Sequence, residues 1–208
     1  MIHTDGTNVK RNRKVAQGEA TRADLLAAGR RLFGTQGYAE TSTEDIAAEA
    51  GVTKGALYHH FSGKDDVMRA VYEQIKREIT ETVGASFTED DSWDGLANGC
   101  KAMLDAHLDP TVRRIVLQDG PSVLGFETTR EIESRYGPIV LRGALRKAMN
   151  AGVIERLPLA PLALMLNGAL TEACNVVSEA DDPVEARATV DRLLLRLLEG
   201  LRPPAPTA

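Results

Sequence analysis

The chain has 208 residues, 43% of them hydrophobic and 26% charged, with a net charge of −5, so it can bury a core and is not a disordered polyanion. Aromatic residues reach only 4% while Ala and Leu abound, which favours helices over pleated sheet. No apolar run approaches the ~18 residues of a membrane span and no basic-then-apolar leader opens the sequence, so the expected compartment is the cytoplasm, with no membrane partner.

Residues 1–18 are polar and aperiodic and read as a disordered basic tail. Their KRNRK cluster is either a nucleic-acid arm or a solvated charge run. A first helix is expected from about Thr21 to Gln36, with Asp24 three residues beyond Thr21 and an apolar stripe of Leu25, Leu26, Ala28, Leu32 and Phe33. Gly37 is the expected stop. A second, short helix follows from about Thr43 to Ala50, capped by Ser42 or Thr43. A third starts at the cap Thr53 and reaches about His60. Ser62-Gly63-Lys64-Asp65 opens a long fourth helix, along which Val67, Val71, Ile75 and Ile79 recur at every fourth residue.

Past a looser acidic segment, SFTEDDSWDG, a fifth helix is expected over about 92–108 and a sixth over about 110–118. The seventh, about 125–150, should kink or split at Gly137-Pro138. Helices eight (about 159–179) and nine (about 183–201) complete a nine-helix, all-α reading, and residues 203–208 form a frayed end. Cys100 and Cys174 stand far apart, without CxxC spacing or a histidine at metal-ligand spacing. They read as reduced thiols filling apolar space, and no metal or cofactor is implied.

Charge is unevenly spread. Residues 1–64 hold nine Lys/Arg against seven Asp/Glu, a net +2, and the remainder sixteen against twenty-three, a net −7. A basic start on an acidic chain suits a polyanion bound through a small face. The segment STEDIAAEAGVTKGALYHHF, residues 42–61, supplies that face. Two short helices meet at a glycine turn, the helix-turn-helix layout. Ala47 is small where the helices touch, Gly51 turns the chain, and Ile46, Val52 and Leu57 supply the inner faces.

Residues from about 20 to 78 resemble the DNA-binding domain of the tetracycline-repressor (TetR) family, most clearly over DIAAEAGVTKGALYHHFSGKDDV. The resemblance implies a three-helix DNA-binding head, a connecting fourth helix and a helical effector-binding and dimerising body. The corresponding division is a tail (1–18), a head (19–79, helix-turn-helix 42–61), a body (80–202) and a second tail (203–208).

The third helix is short enough to enter a major groove, and its N-terminus, capped by Thr53, suits a phosphate. Gly55 permits close backbone approach. Lys54 can reach a base edge or phosphate, and Tyr58, Lys64 and Thr43 can hold the DNA backbone. Adjacent histidines on a helix point about 100° apart, so His59 and His60 cannot chelate one metal. His59 is expected to face the groove, and His60, next to Phe61, to be half-buried core; family likeness adds a backbone contact for it.

In the body, Met68, Tyr72, Met103, His107, Phe126, Tyr136 and Met165 are candidates for contact with an unidentified small-molecule effector, each set against ordinary core packing. Asn167, Thr171 and Asn175 form a polar stripe that is either a helix–helix contact or a pocket lining. Helix nine repeats Val190, Leu193, Leu194, Leu197, Leu198 and Leu201, so helices eight and nine are expected to form a homodimer surface. No catalytic constellation is visible. The expected function is a ligand-released, homodimeric repressor binding double-stranded operator DNA; the alternative is a helical protein-binding module without DNA affinity.

Overall fold

A computed structural model describes residues 5–86 and 93–203, with side chains described for 15–85 and 93–203. The elements are α1 (Asp5–Thr35), α2 (Thr43–Glu49), α3 (Lys54–His60), α4 (Lys64–Ser86), α5 (Trp93–Leu108), a single turn α6 (Pro110–Val112), α7 (Gly120–Asn150), α8 (Leu159–Glu179) and α9 (Pro183–Glu199). There is no strand among the described residues.

Four expectations about these elements need correction. The expected disordered tail is helical from Asp5 onward, because α1 starts sixteen residues before Thr21, which is therefore not a cap. The sixth helix shrinks to one turn, because the hydrogen-bond register widens to π-helical over Arg113–Asp119 before running straight into α7. Eight full-length helices therefore remain among the described residues. The kink expected at Gly137-Pro138 is absent, Pro138 lying buried within continuous helix; α7 breaks instead at Gly125 (φ 78°, ψ 161°), a conformation open to glycine and the position where the seventh helix is expected to start. Finally, α8 is long and apolar enough by length and composition to cross a membrane, contrary to the reading of the sequence. One face of α8, including Ala163, Leu166, Leu170, Cys174 and Val177, packs into the core. The expected boundary at residue 79 falls inside the unbroken α4. The tail calls at 1–4 and 204–208, and most of the acidic segment (87–92), lie outside the described residues.

The core runs without interruption from the head into the body. In the head, Leu25, Ala28 and Phe33 of α1 meet Ile46, Leu57 and Phe61, all at most 3% exposed. In the body, α4 packs on α1, α5 and α7, and α8 on α5, α7 and α9. Fully burying one Leu- or Phe-sized side chain contributes about 1.5–3 kcal/mol, so this common core is the main cohesion of the fold.

A polar seam joins head to body. The Arg114 guanidinium donates to the carbonyls of Thr35 (2.7 Å) and Gln36 (2.9 Å), capping the end of α1. Tyr38 N donates to Asp119 Oδ2 at 2.9 Å. Gly34 lies so close to Thr111 that a Cβ there would stand 2.5 Å from its methyl group.

Candidate nucleic-acid interface

The helix-turn-helix is built by local rules. Ser42 caps α2 through a reciprocal pair with Asp45: each side chain takes the other's backbone N–H (3.1 and 2.9 Å). Gly51, at φ +68°, reverses the chain in a left-handed conformation that costs an L-residue roughly 1–2 kcal/mol. Val52 N then donates to Ala47 O at 2.9 Å, closing the turn. Thr53 caps α3, its hydroxyl accepting from Ala56 N at 3.2 Å. Ile46, Ala47 and Leu57 are buried and Val52 is half-buried, so the apolar side of the pair is used up in the core.

What remains outward is polar. Thr53, Lys54, Gly55, Tyr58 and His59 are exposed, and Thr43 and His60 are half-buried. Thr43 Oγ1 and the Tyr58 hydroxyl lie 3.4 Å apart, which brings α2 and α3 together on one surface. The Lys54 ammonium stands 5.7 Å from the Tyr58 ring centroid. The His59 and His60 rings meet edge-on at 5.2 Å, and no metal-holding cluster occurs among the described residues.

Lys64 is placed differently from the rest. It is half-buried, donates to Tyr38 O at 2.9 Å, and sits 4.0 Å from the Tyr38 ring centroid. These contacts tie α4 to the turn after α1. The expected Ser62–Asp65 cap also shifts by one residue: Asp66 takes the Ser62 N–H at 2.9 Å, while Asp65 pairs with the Tyr38 hydroxyl. Burial and that carboxylate push the Tyr38 phenol up to about 12.

The sequence reading missed Glu44. Its Oε1 pairs with Lys54, and its Oε2 accepts from Thr43 Oγ1 at 2.9 Å. The Lys54 hydrogen bond holds its carboxyl down to about 2. The available signal was a carboxylate ten residues before Lys54 within a helix pair that folds back on itself.

The effector candidates divide in two. Met68, Tyr72, Met103 and His107 are at most 5% exposed and belong to the interior. Tyr136 is half-buried, its hydroxyl donating to Glu73 Oε1 at 3.1 Å. Phe126 and Met165 lie apart from that interior, at 72% and 73% exposed. Phe126 edges a surface hollow of about 370 Å³ shared with Glu127, Arg130, Glu131 and Ser134, beyond the Gly125 break. The two thiols are buried, and burial pushes each up to about 12.

Sequence reading also missed Lys76 and Glu133. Lys76 is 5% exposed, 3.3 Å from His107 Nε2 and 3.6 Å from Glu133 Oε1. That same Oε1 accepts from the Tyr72 hydroxyl at 2.9 Å. The His107 Nδ1–H donates to Met103 O at 2.8 Å, which leaves Nε2 to accept from Lys76. Burial lowers Lys76 below the ordinary lysine value while Glu133 pulls it back. Burial, with the Lys76 charge, takes His107 down to about 4. The signal was there: Met68, Tyr72 and Lys76 recur at every fourth residue of α4, putting a lysine on an apolar row.

Among the described residues the fold is all-α, with a glycine-turned helix-turn-helix pair at one end and a helical body at the other. The family described as "Tetracyclin repressor-like, C-terminal domain" matches residues 93–201, and "Bacterial regulatory proteins, tetR family" matches residues 25–71. The chain belongs to the tetracycline-repressor family. It resembles a TetR-family transcriptional regulator of Pectobacterium atrosepticum (36% identity, TM-score 0.79, 91% of this chain and 97% of that one). Among curated relatives it resembles the transposon Tn10 TetC protein of Escherichia coli (28% identity; 61% of this chain, 64% of that protein). It also resembles the regulator TtgR of Pseudomonas putida (37% identity; 40% and 39%). The matched segments thus span between about two fifths and two thirds of these two relatives' length.

Proposed function

We propose that the chain is a cytoplasmic, homodimeric transcriptional regulator. It binds double-stranded operator DNA through the α2–α3 surface and releases it when a small effector enters the body. One observation carries the reading: the helix pair spends its apolar side on the core and presents Thr43, Lys54, Gly55, Tyr58 and His59 on the opposite side. Seven-residue α3 is about 10 Å long at 1.5 Å per residue, a fit to a major groove. Lys54 and Gly55 at its start serve close approach, with Thr43, Thr53, Tyr58 and His60 as backbone contacts. Lys64 holds the turn that positions them.

The dimer surface is assigned to the outward sides of α8 and α9, where Leu164, Met165, Val176, Leu193 and Leu197 are 50–73% exposed. This revises the residues expected from sequence. Leu194 and Leu198 are at most 4% exposed and belong to the monomer's own core. The effector is assigned to the interior among α4, α5, α7 and α8, around Met68, Tyr72, Met103 and His107.

The test is a gel shift with the DNA upstream of the chain's own gene at fixed salt. Lys54→Ala and Tyr58→Phe should each weaken binding by about 1–3 kcal/mol without lowering the melting temperature. Unchanged affinity in both removes the docking surface. Leu197→Glu should give folded monomers with weakened operator binding, whereas Leu194→Glu should unfold the chain. In the dimer the two α3 helices should lie about 34–36 Å apart, one turn of DNA.

A further inference from the structure

The body buries a charged side chain. At the centre of α4, α5 and α7 the Lys76 ammonium has three N–H groups. One reaches His107 Nε2 at 3.3 Å, and the nearest carboxylate oxygen, Glu133 Oε1 at 3.6 Å, already accepts from the Tyr72 hydroxyl. Replacing a buried ion pair by apolar side chains is often neutral or stabilising, so a pair of this kind is poor evidence of a stability role. Its two halves are unequal. Lys76 is sealed at 5% exposure, whereas the Glu133 side chain is 31% exposed.

A second observation lies one turn further along α7. Gly137 faces Asn167 of α8 so closely that a Cβ there would stand 2.3 Å from Asn167 Oδ1, and that oxygen is buried without a hydrogen-bond partner. From Asn167, α8 continues through Thr171 to Cys174, which lies within electrostatic reach of Lys76. A polar layer thus runs from the Lys76–Glu133 pair between α4 and α7 to a buried acceptor without a partner, Asn167 Oδ1, between α7 and α8. An unsatisfied buried acceptor is costly and calls for a donor, which a carboxylate lacks, so a carboxylate belongs at the Lys76 end of the layer and not at Asn167.

We propose that this layer is the recognition site for a carboxylate effector, whose carboxylate takes the place of Glu133 beside Lys76, with the Tyr72 hydroxyl as second donor. Glu133 acts as an internal stand-in for the ligand. Lys76 lies on the helix that carries Lys64, twelve residues or about 18 Å away at 1.5 Å per residue. Displacing Glu133 removes the most buried of the charge contacts between α4 and α7, the Arg135–Glu73 pair (3.1 Å) being half-exposed, and α4 is the element that reaches the head. This inference rests on the regulator reading above and names the ligand class for it.

The test is calorimetric titration of the full chain with straight-chain monocarboxylates from acetate to dodecanoate, and with benzoate and salicylate, each against its primary amide. At least one acid should bind at least about tenfold tighter than its amide. Glu133→Gln should strengthen that acid by about tenfold, since the internal competitor is gone, and leave the amide unchanged. Lys76→Met should abolish the difference between acid and amide. If Lys76→Met does not fold, the sign of the Glu133→Gln effect decides. Acids that bind no better than amides, an acid preference that survives Lys76→Met, or weaker acid binding in Glu133→Gln would each overturn the proposal. Gel shift of the same preparations separates the two readings. Operator binding without acid preference refutes this inference alone, and acid preference without operator binding refutes the regulator alone.

Discussion

The head and the body solve opposite problems with the same kind of element. In the head, short helices spend their apolar residues inward and keep nearly every side chain with binding chemistry outside, held by caps and a single turn. In the body, long helices carry exposed leucines on α8 and α9 and keep their chemistry inside, around Lys76, His107, Tyr72 and Glu133. A surface that meets a large, fixed, charged partner is built from short-range contacts. A site for a small guest has to be enclosed, and enclosure is assembled from residues far apart in the chain.

The largest effect that sharpens this contrast is in the support of the head. Leu57 is wholly buried between α1 and α2 while its neighbour Tyr58 is 49% exposed. Leu57→Ala should cost about 2–5 kcal/mol of stability. Urea unfolding should show it, with operator binding lost only because the head melts. A cost near zero would mean that the head is not held by this core and that its surface is not rigidly presented.

That difference also explains what was legible in the sequence. Ser42, Gly51 and Thr53 act within a few residues of themselves, so caps, turn and inner face of the head could be read from spacing. The first helix was misjudged because polar residues 5–20 show no periodicity, yet they continue α1, which already has its nucleus in the Leu25–Phe33 stripe. The break in α7 was placed at Pro138 on local grounds, but a proline buried among neighbouring helices can be accommodated while Gly125 takes the bend. Lys76 meets a histidine 31 residues away and a glutamate 57 residues away, and Phe126 and Met165 turn outward because of α7's bend and α8's register. Nothing in a one-dimensional pattern sets such pairings.

A medium effect probes the body through pH. His107 is neutral in the fold, at about 4, because burial and the Lys76 charge oppose its protonation. In the unfolded chain it titrates near the ordinary histidine value of about 6.5. Between those values the unfolded state binds the additional proton, so stability is intact above about pH 6.5 and is lost as pH falls toward about 4. The slope can reach about 1.4 kcal/mol per pH unit for this one group. His107→Gln, which keeps an acceptor for Lys76, should flatten the profile in that window when melting is followed by circular dichroism. An unaltered slope would show that His107 is not sealed in the interior, and the enclosed character of the body would fail with it.

The smallest effect concerns a carboxylate on the head's binding surface, Glu44. Glu44 occupies both Lys54 and Thr43, two of the groups assigned to DNA, and the Lys54 hydrogen bond holds its carboxyl down to about 2, so it stays ionised throughout the working pH range. An approaching phosphate must compete with it for Lys54. Glu44→Gln removes the competitor without removing the side chain. Fluorescence anisotropy with a random-sequence duplex should then show tighter binding, and the dependence of log K on log salt should steepen by about 0.9, the value for one added phosphate contact. The melting temperature should not change, because the pair is fully exposed. If random DNA binds as before while the operator alone weakens, the carboxylate is accepting from a base, as Glu does from the cytosine amino group. Lys54 would then be its positioning partner and not a freed clamp. If neither affinity moves, Lys54 and Glu44 stand outside the contact surface, and the head would have to dock through another part of α3.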